Sequence, residues 1–126
     1  MEKIVIIDGK EVGLRATART PRIYRVTTGR DLILDLALIN DYLKDREHQS
    51  EIMINALSAF EDFAFVMAKQ YAEAHELEFP EESDEWLDEF EVFDIYSVMP
   101  HVLQLWKDNS KTTSVAKKNR VKPSEK

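Results

Sequence analysis

Three histidines, no cysteine and 24 acidic residues are the side chains with which this 126-residue sequence could hold a metal or move a proton. His48, His75 and His101 fall on three separate segments, and none has a second histidine at a spacing that would share one helical face. Glu73-Ala74-His75-Glu76 reads equally well as an acidic helix end. The acidic run 81–94 lacks the spaced acids around a central glycine that a calcium loop requires. The carboxylate pairs Asp31/Asp35 and Glu61/Asp62 are candidates for acid–base chemistry, which needs one buried carboxyl of raised pKa inside a cleft. Both pairs fall on the wet faces of expected helices. Glycine occurs only at 9, 13 and 29, so there is no phosphate-cradling loop, nucleophile elbow or dinucleotide fingerprint. The residue types point away from an enzyme and call for no cofactor and no metal.

Arginine is the residue type that remains. Arg15, Arg19, Arg22, Arg25 and Arg30 follow one another without an intervening acid, whereas Tyr71 to Leu105 holds eleven acids and neither Lys nor Arg. From Trp106 onward the sign reverses, with seven cations against Asp108 and Glu125. Such segregation can steer a partner, a second copy of the chain, or one segment onto another. Guanidinium groups pair with carboxylates and stack on rings, so Arg15, Arg19, Arg22, Arg25 and Arg30 with Tyr24 form a candidate partner-binding strip. The competing expectation is that these arginines pair with acids of their own chain, such as Glu85, Asp88 or Glu89. Trp86, Phe90 and Trp106 add candidate aromatic contacts, since so many rings at helical spacing in a small domain leave some at the surface to dock an apolar helix. A net charge of −7 disfavours nucleic acid. A nucleic-acid-associated regulator using the arginine strip and the Lys-rich tail is nevertheless the alternative from another class.

The elements that must carry these residues are legible. Ile4 to Ile7 is a β-branched run, Asp8-Gly9 suits a type I′ hairpin turn, and Val12, Leu14, Ala16 and Ala18 alternate on the returning strand. Thr20-Pro21 reads as a helix start and Gly29 as its stop, with Thr28 as the cap of a second helix over 30–44. A polar connection at 45–49 leads to a long helix over 50–75, patterned by Ile52, Ala56, Phe60, Phe63, Met67 and Tyr71. Phe79-Pro80-Glu81-Glu82 is a loop, Ser83-Asp84-Glu85 opens a further helix, a break falls near Glu91-Val92, and Pro100 would kink any helix running through it. The expected fold is mainly α: an N-terminal β-hairpin packed on four or five helices over 1–108, then a flexible Lys-rich tail over 109–126. The absence of cysteine fits an intracellular setting. No apolar run approaches the roughly 20 residues of a membrane span, and the N-terminal run reads as a strand, not a signal peptide.

Specific strings add to this. Ala16-Thr17-Ala18-Arg19-Thr20-Pro21-Arg22-Ile23-Tyr24-Arg25 followed by Gly29-Arg30-Asp31-Leu32 resembles the tail assembly chaperone family of long-tailed bacteriophages of Gram-positive hosts. Phe63-Ala64-Phe65-Val66-Met67-Ala68-Lys69-Gln70 is similar to that family's middle helix. Glu85-Trp86-Leu87-Asp88-Glu89-Phe90, Phe93-Asp94-Ile95-Tyr96-Ser97-Val98-Met99-Pro100, Leu105-Trp106 and Thr112-Thr113-Ser114 with Lys117-Lys118 are similar to its later segments. The resemblance departs at Thr28, where an aromatic is expected. It implies a non-enzymatic protein of the host cytoplasm, absent from the mature virion, that binds and solubilises the tape measure protein and helps recruit tail tube protein. Charge and hydropathy lead to the expectation of no nucleic-acid and no membrane partner, and self-association is a further expected contact.

Overall fold

In a computed structural model, the backbone is described over residues 1–44 and 50–124 and side chains over 1–44 and 54–110. The polar connection expected at 45–49 lies outside the described residues. The order is β1 (Glu2–Ile7), β2 (Lys10–Arg15), α1 (Thr20–Thr28), α2 (Leu32–Lys44), α3 (Ser50–Ala74), α4 (Ser83–Leu87) and α5 (Ile95–Ser124). The protein is mainly α with an N-terminal hairpin, as its residue pattern predicts.

β1 and β2 pair antiparallel from Glu2 opposite Arg15 to Ile7 opposite Lys10. Asp8 and Gly9 both take positive φ, 53° and 73°, the geometry that matches a two-residue turn to the twist of its strands. Val5, Ile7 and Leu14 face the core, and Ile4 and Ile6 face outward. A two-stranded sheet is marginal alone. Here its inner face is covered by α3 and α5.

The long helix α3 is the axis of the domain: β2, α1, α2, α4 and α5 all pack on it. Phe63, Ala64, Phe65, Val66, Met67 and Ala68 are consecutive and buried, so this stretch is enclosed on every side. Such burial exceeds the single stripe that its Phe60–Phe63–Met67 spacing predicts. Phe65, which is off that stripe, stacks within a second aromatic layer formed by Phe79 and Trp86, with ring centroids 5.6 and 5.9 Å away.

Polar groups inside the core are paired. Thr20, expected as a helix cap, makes no such bond. Its hydroxyl donates to Gln70 Oε1 at 2.6 Å and accepts from the Thr17 amide at 2.9 Å, and Gln70 Nε2 donates to Thr17 Oγ1 at 3.0 Å. The burial of both Thr20 and Gln70 explains the change of role, because an unpaired amide there would be costly. Gly29 ends α1 in the left-handed conformation, donating its amide to the Arg25 carbonyl. The cap of α2 is Asp31, whose Oδ1 accepts the amides of Ile33 and Leu34 at 2.8 and 3.2 Å. Thr28, expected in that place, donates instead to the Tyr24 carbonyl and accepts from the Arg30 amide.

The break between α4 and α5 falls where the sequence places it. α5 then runs through Pro100, which lies on its exposed side. The helical backbone of α5 continues to Ser124. Among the described residues, no helix is long and apolar enough to cross a membrane.

Candidate functional site

The nine residues singled out by type and spacing do not share one surface. α1 is a single amphipathic helix, so its 3.6-residue turn sends neighbours in opposite directions. Tyr24 points inward and is fully buried, its ring edge-on to Phe63 at 6.2 Å. Arg22 and Arg25 point outward, and among the described residues neither forms an ion pair. A partner can reach Arg22 and Arg25 but not the Tyr24 ring.

Arg30 is taken up by its own chain. Its guanidinium donates to Asp35 Oδ2 at 2.9 Å, to Asp62 Oδ2 at 2.6 Å and to the Tyr24 hydroxyl at 3.2 Å, while that hydroxyl donates to Asp35 Oδ2 at 2.5 Å. The cluster ties the α1–α2 corner to α3. Burial, then the Asp35 carboxylate, pushes the Tyr24 hydroxyl above its ordinary range. Asp62, then Asp35, push the Arg30 guanidinium upward in turn. Asp35 and Asp62 were expected on wet faces. They are instead the acceptors of this cluster, with Asp35 only 14% exposed at the side chain.

The hairpin arginines are paired too, but to acids other than those expected. Arg15 meets Glu2 at 2.7 Å, and Arg19 meets Glu73 at 3.6 Å. Glu2 also lies 3.0 Å from His75 Nε2. Hydrogen bonds from His75 and then Arg15 hold the Glu2 carboxyl below its usual value. Glu61 shows the opposite shift: partial burial raises it, with Asp62 and Asp84 adding like charge. Among the described residues, no group of three or more His, Asp or Glu side chains is arranged to hold a metal.

Trp86, singled out as a contact, is buried at 2% exposure and is the centre of the aromatic layer, with Phe90 at 5.4 Å and Phe93 at 5.7 Å. Trp106 is half-buried edge-on against Phe63 at 5.9 Å, holding α5 to α3. Phe90 is half-buried and reaches a surface groove of about 350 Å³ between the hairpin and the α3–α4 connection. A second groove of about 540 Å³, lined by Leu43, Tyr96, Met99 and Leu103, separates α2 from α5. Tyr96 is exposed on its wall, with its hydroxyl 2.8 Å from that of Tyr42.

What charge and aromatic content do not reveal is the apolar surface at the α1–α2 corner. Val26 is 80% exposed, Ile33 60% and Leu34 70%. Val26 follows Arg25 on the outer side of α1, and Ile33 and Leu34 lie in the first turn of α2, just beyond the Arg30 anchor. The signal was present in the sequence: Leu32, Ile33 and Leu34 are three apolar residues in a row, and one helix face cannot bury them all. The result is an outward surface of three aliphatic side chains and two guanidinium groups that form no ion pair among the described residues. Its chemistry is complementary to an apolar segment that bears carboxylates. No protein-family model matches the chain, and no curated protein or solved structure is significantly similar to it.

Proposed function

We propose that the protein is a tail assembly chaperone of a long-tailed bacteriophage of Gram-positive hosts. In this reading it is a non-enzymatic binder that acts in the host cytoplasm and is left out of the finished particle. It covers apolar helical stretches of the tape measure protein and helps recruit tail tube subunits. The observation that carries the reading is the run Ala16–Arg25 with Gly29-Arg30-Asp31-Leu32, joined by the later Trp86 and Tyr96 strings.

The α1–α2 corner supports it. A tape measure protein is long and helical with apolar stretches, and such a partner is held by an exposed aliphatic surface that reads the apolar face of a helix. Ile33, Leu34 and Val26 supply that surface, and Arg22 and Arg25 beside it pair with carboxylates on the same helix. The framework beneath, fixed by Arg30, Asp35, Asp62 and Tyr24, keeps the corner preorganised and lowers the ordering cost of capture.

Co-expression with the tape measure protein of the same phage tests this. The full chain is expected to bring that partner into the soluble fraction and to co-purify with it. Ile33→Asp with Leu34→Asp is expected to abolish both effects in a chain that still melts cooperatively. A tape measure protein that stays insoluble with the unaltered chain, or that the folded double variant rescues equally well, overturns the proposal.

A further inference from the structure

We infer that the groove between the hairpin and the α3–α4 connection receives the basic C-terminal segment of a second copy of this chain. The inference does not rest on the chaperone reading. The groove has an apolar wall built from Ile4, Val12, Tyr71, Leu77, Phe79 and Phe90, with Ile4 50% and Leu77 57% exposed. Glu11, Glu78 and Glu89 stand at its rim. The site already attracts a cation: Lys10 Nζ lies 5.5 Å from the Phe90 ring centre and donates to the Glu89 carbonyl. Its occupant must therefore combine small apolar groups with positive charge.

The chain carries such a segment. Val115-Ala116-Lys117-Lys118-Asn119-Arg120-Val121-Lys122 holds apolar residues among four cations. The charge opposite it is unspent. Of the eleven acids between Tyr71 and Leu105, only Glu73 and Glu81 form ion pairs within the described residues, to Arg19 and Lys69.

Geometry rules out the chain's own segment as the occupant. α5 begins just after the acidic loop and is fastened to the core by the buried Val98, Val102 and Leu105 and by Trp106. Its helix then runs on to Ser124, carrying Val115 about 30 Å along the axis from Ile95 at 1.5 Å per residue. One helix thus starts beside the acidic groove and bears the cations away from it. Complementary charges at opposite ends of a molecule meet between copies, head to tail, an arrangement that closes into a ring or extends as a filament.

Sedimentation of the full chain at low salt, and at about 1 M salt where the Debye length is about 3 Å, tests this. The unaltered chain is expected to associate with rising concentration at low salt and to dissociate at high salt. Glu78→Lys with Glu89→Lys, and separately Lys117→Glu with Lys118→Glu, are each expected to weaken association about tenfold or more. Mixing the two variants, which restores one complementary pair of ends, is expected to recover a dimer. If the groove variant fails to fold, the tail variant, altered beyond the core, carries the test alone. A monomer at every concentration in low salt overturns the inference. So does association that a folded groove variant or the tail variant leaves unchanged.

Discussion

Tyr71 lies over Gly13 so closely that a Cβ at residue 13 would sit 2.2 Å from its Cε1. The ring cannot simply swing aside, because its other neighbour is the His75 imidazole, stacked at 4.1 Å. That imidazole is in turn held by Glu2. The missing side chain of Gly13 is what lets β2 settle against the end of α3. Gly13→Ala is expected to cost about 1–3 kcal/mol, as overpacking does. Adding Tyr71→Ala should return part of that loss in a double-mutant cycle read by urea denaturation. Simple addition of the two costs would mean that the ring is not the obstacle.

Thr20→Val should destabilise by about 1–3 kcal/mol, since it removes the hydroxyl that donates to buried Gln70 and accepts from the Thr17 amide. Thr20→Ser keeps both bonds and should fall well short of that loss. Thermal melts of the pair distinguish a hydrogen-bond role from a packing role.

Among the arginines, position in the fold decides the outcome. Arg30→Ala leaves Asp35 and Asp62 facing each other without their shared donor, so a clear drop in unfolding midpoint is expected. Arg22→Glu with Arg25→Glu should leave the unfolding free energy within about 0.5 kcal/mol of the parent, the usual range for exposed substitutions. Equal losses in the two variants would contradict the placement of these side chains.

Glu61 predicts a stabilising substitution with a defined pH dependence. Its folded-state pKa lies above the ordinary value of 4.5, so folding disfavours its ionised form. At neutral pH the charge therefore opposes folding, and below about 4.5 both states are protonated and the penalty vanishes. Glu61→Gln should raise the melting temperature at pH 7 and lose that advantage as the pH falls below 4.5. A gain that persists in acid would trace to packing instead of charge.

Tyr24 carries a dependence at the other end of the scale. Its folded pKa is raised from 10.0, so its contribution is complete below pH 10 and is lost as pH rises above it, where the unfolded chain gives up the proton first. Tyr24→Phe should be less stable than the parent at pH 8, and the gap should narrow above pH 10 in paired denaturation curves.

The hairpin and α3 were legible because their signals are local: a turn that needs positive φ at Asp8 and Gly9, and rings returning every three or four residues. The burial of Phe65 and Val66 was not, because a single sequence reveals a helix's strongest face but not how many neighbours surround it. The arginine strip looked continuous because charge was followed along the chain. A corner at Gly29 and the turn of α1 distribute it in space, sending Tyr24 into the core, Arg30 to Asp62 and only Arg22 and Arg25 outward without an ion pair among the described residues. Asp35 and Asp62, 27 residues apart, became partners through Arg30, a relation that no periodicity records. The aliphatic corner of Val26, Ile33 and Leu34 was passed over because apolar residues in a helix are assigned to the core by default.

The hairpin tip meets its partners across most of the chain: Asp8 accepts the amide of Glu91, and Lys10 donates to the carbonyl of Glu89. During synthesis the hairpin leaves the ribosome before those partners, which emerge about 80 residues later, a delay of about 4–16 s at 5–20 residues per second. Throughout that interval Val5, Ile7 and Leu14 have no completed core to cover them. The N-terminal strands are therefore open to mispairing while the protein is being made, and they cannot reach their final place until residues 89–91 have emerged.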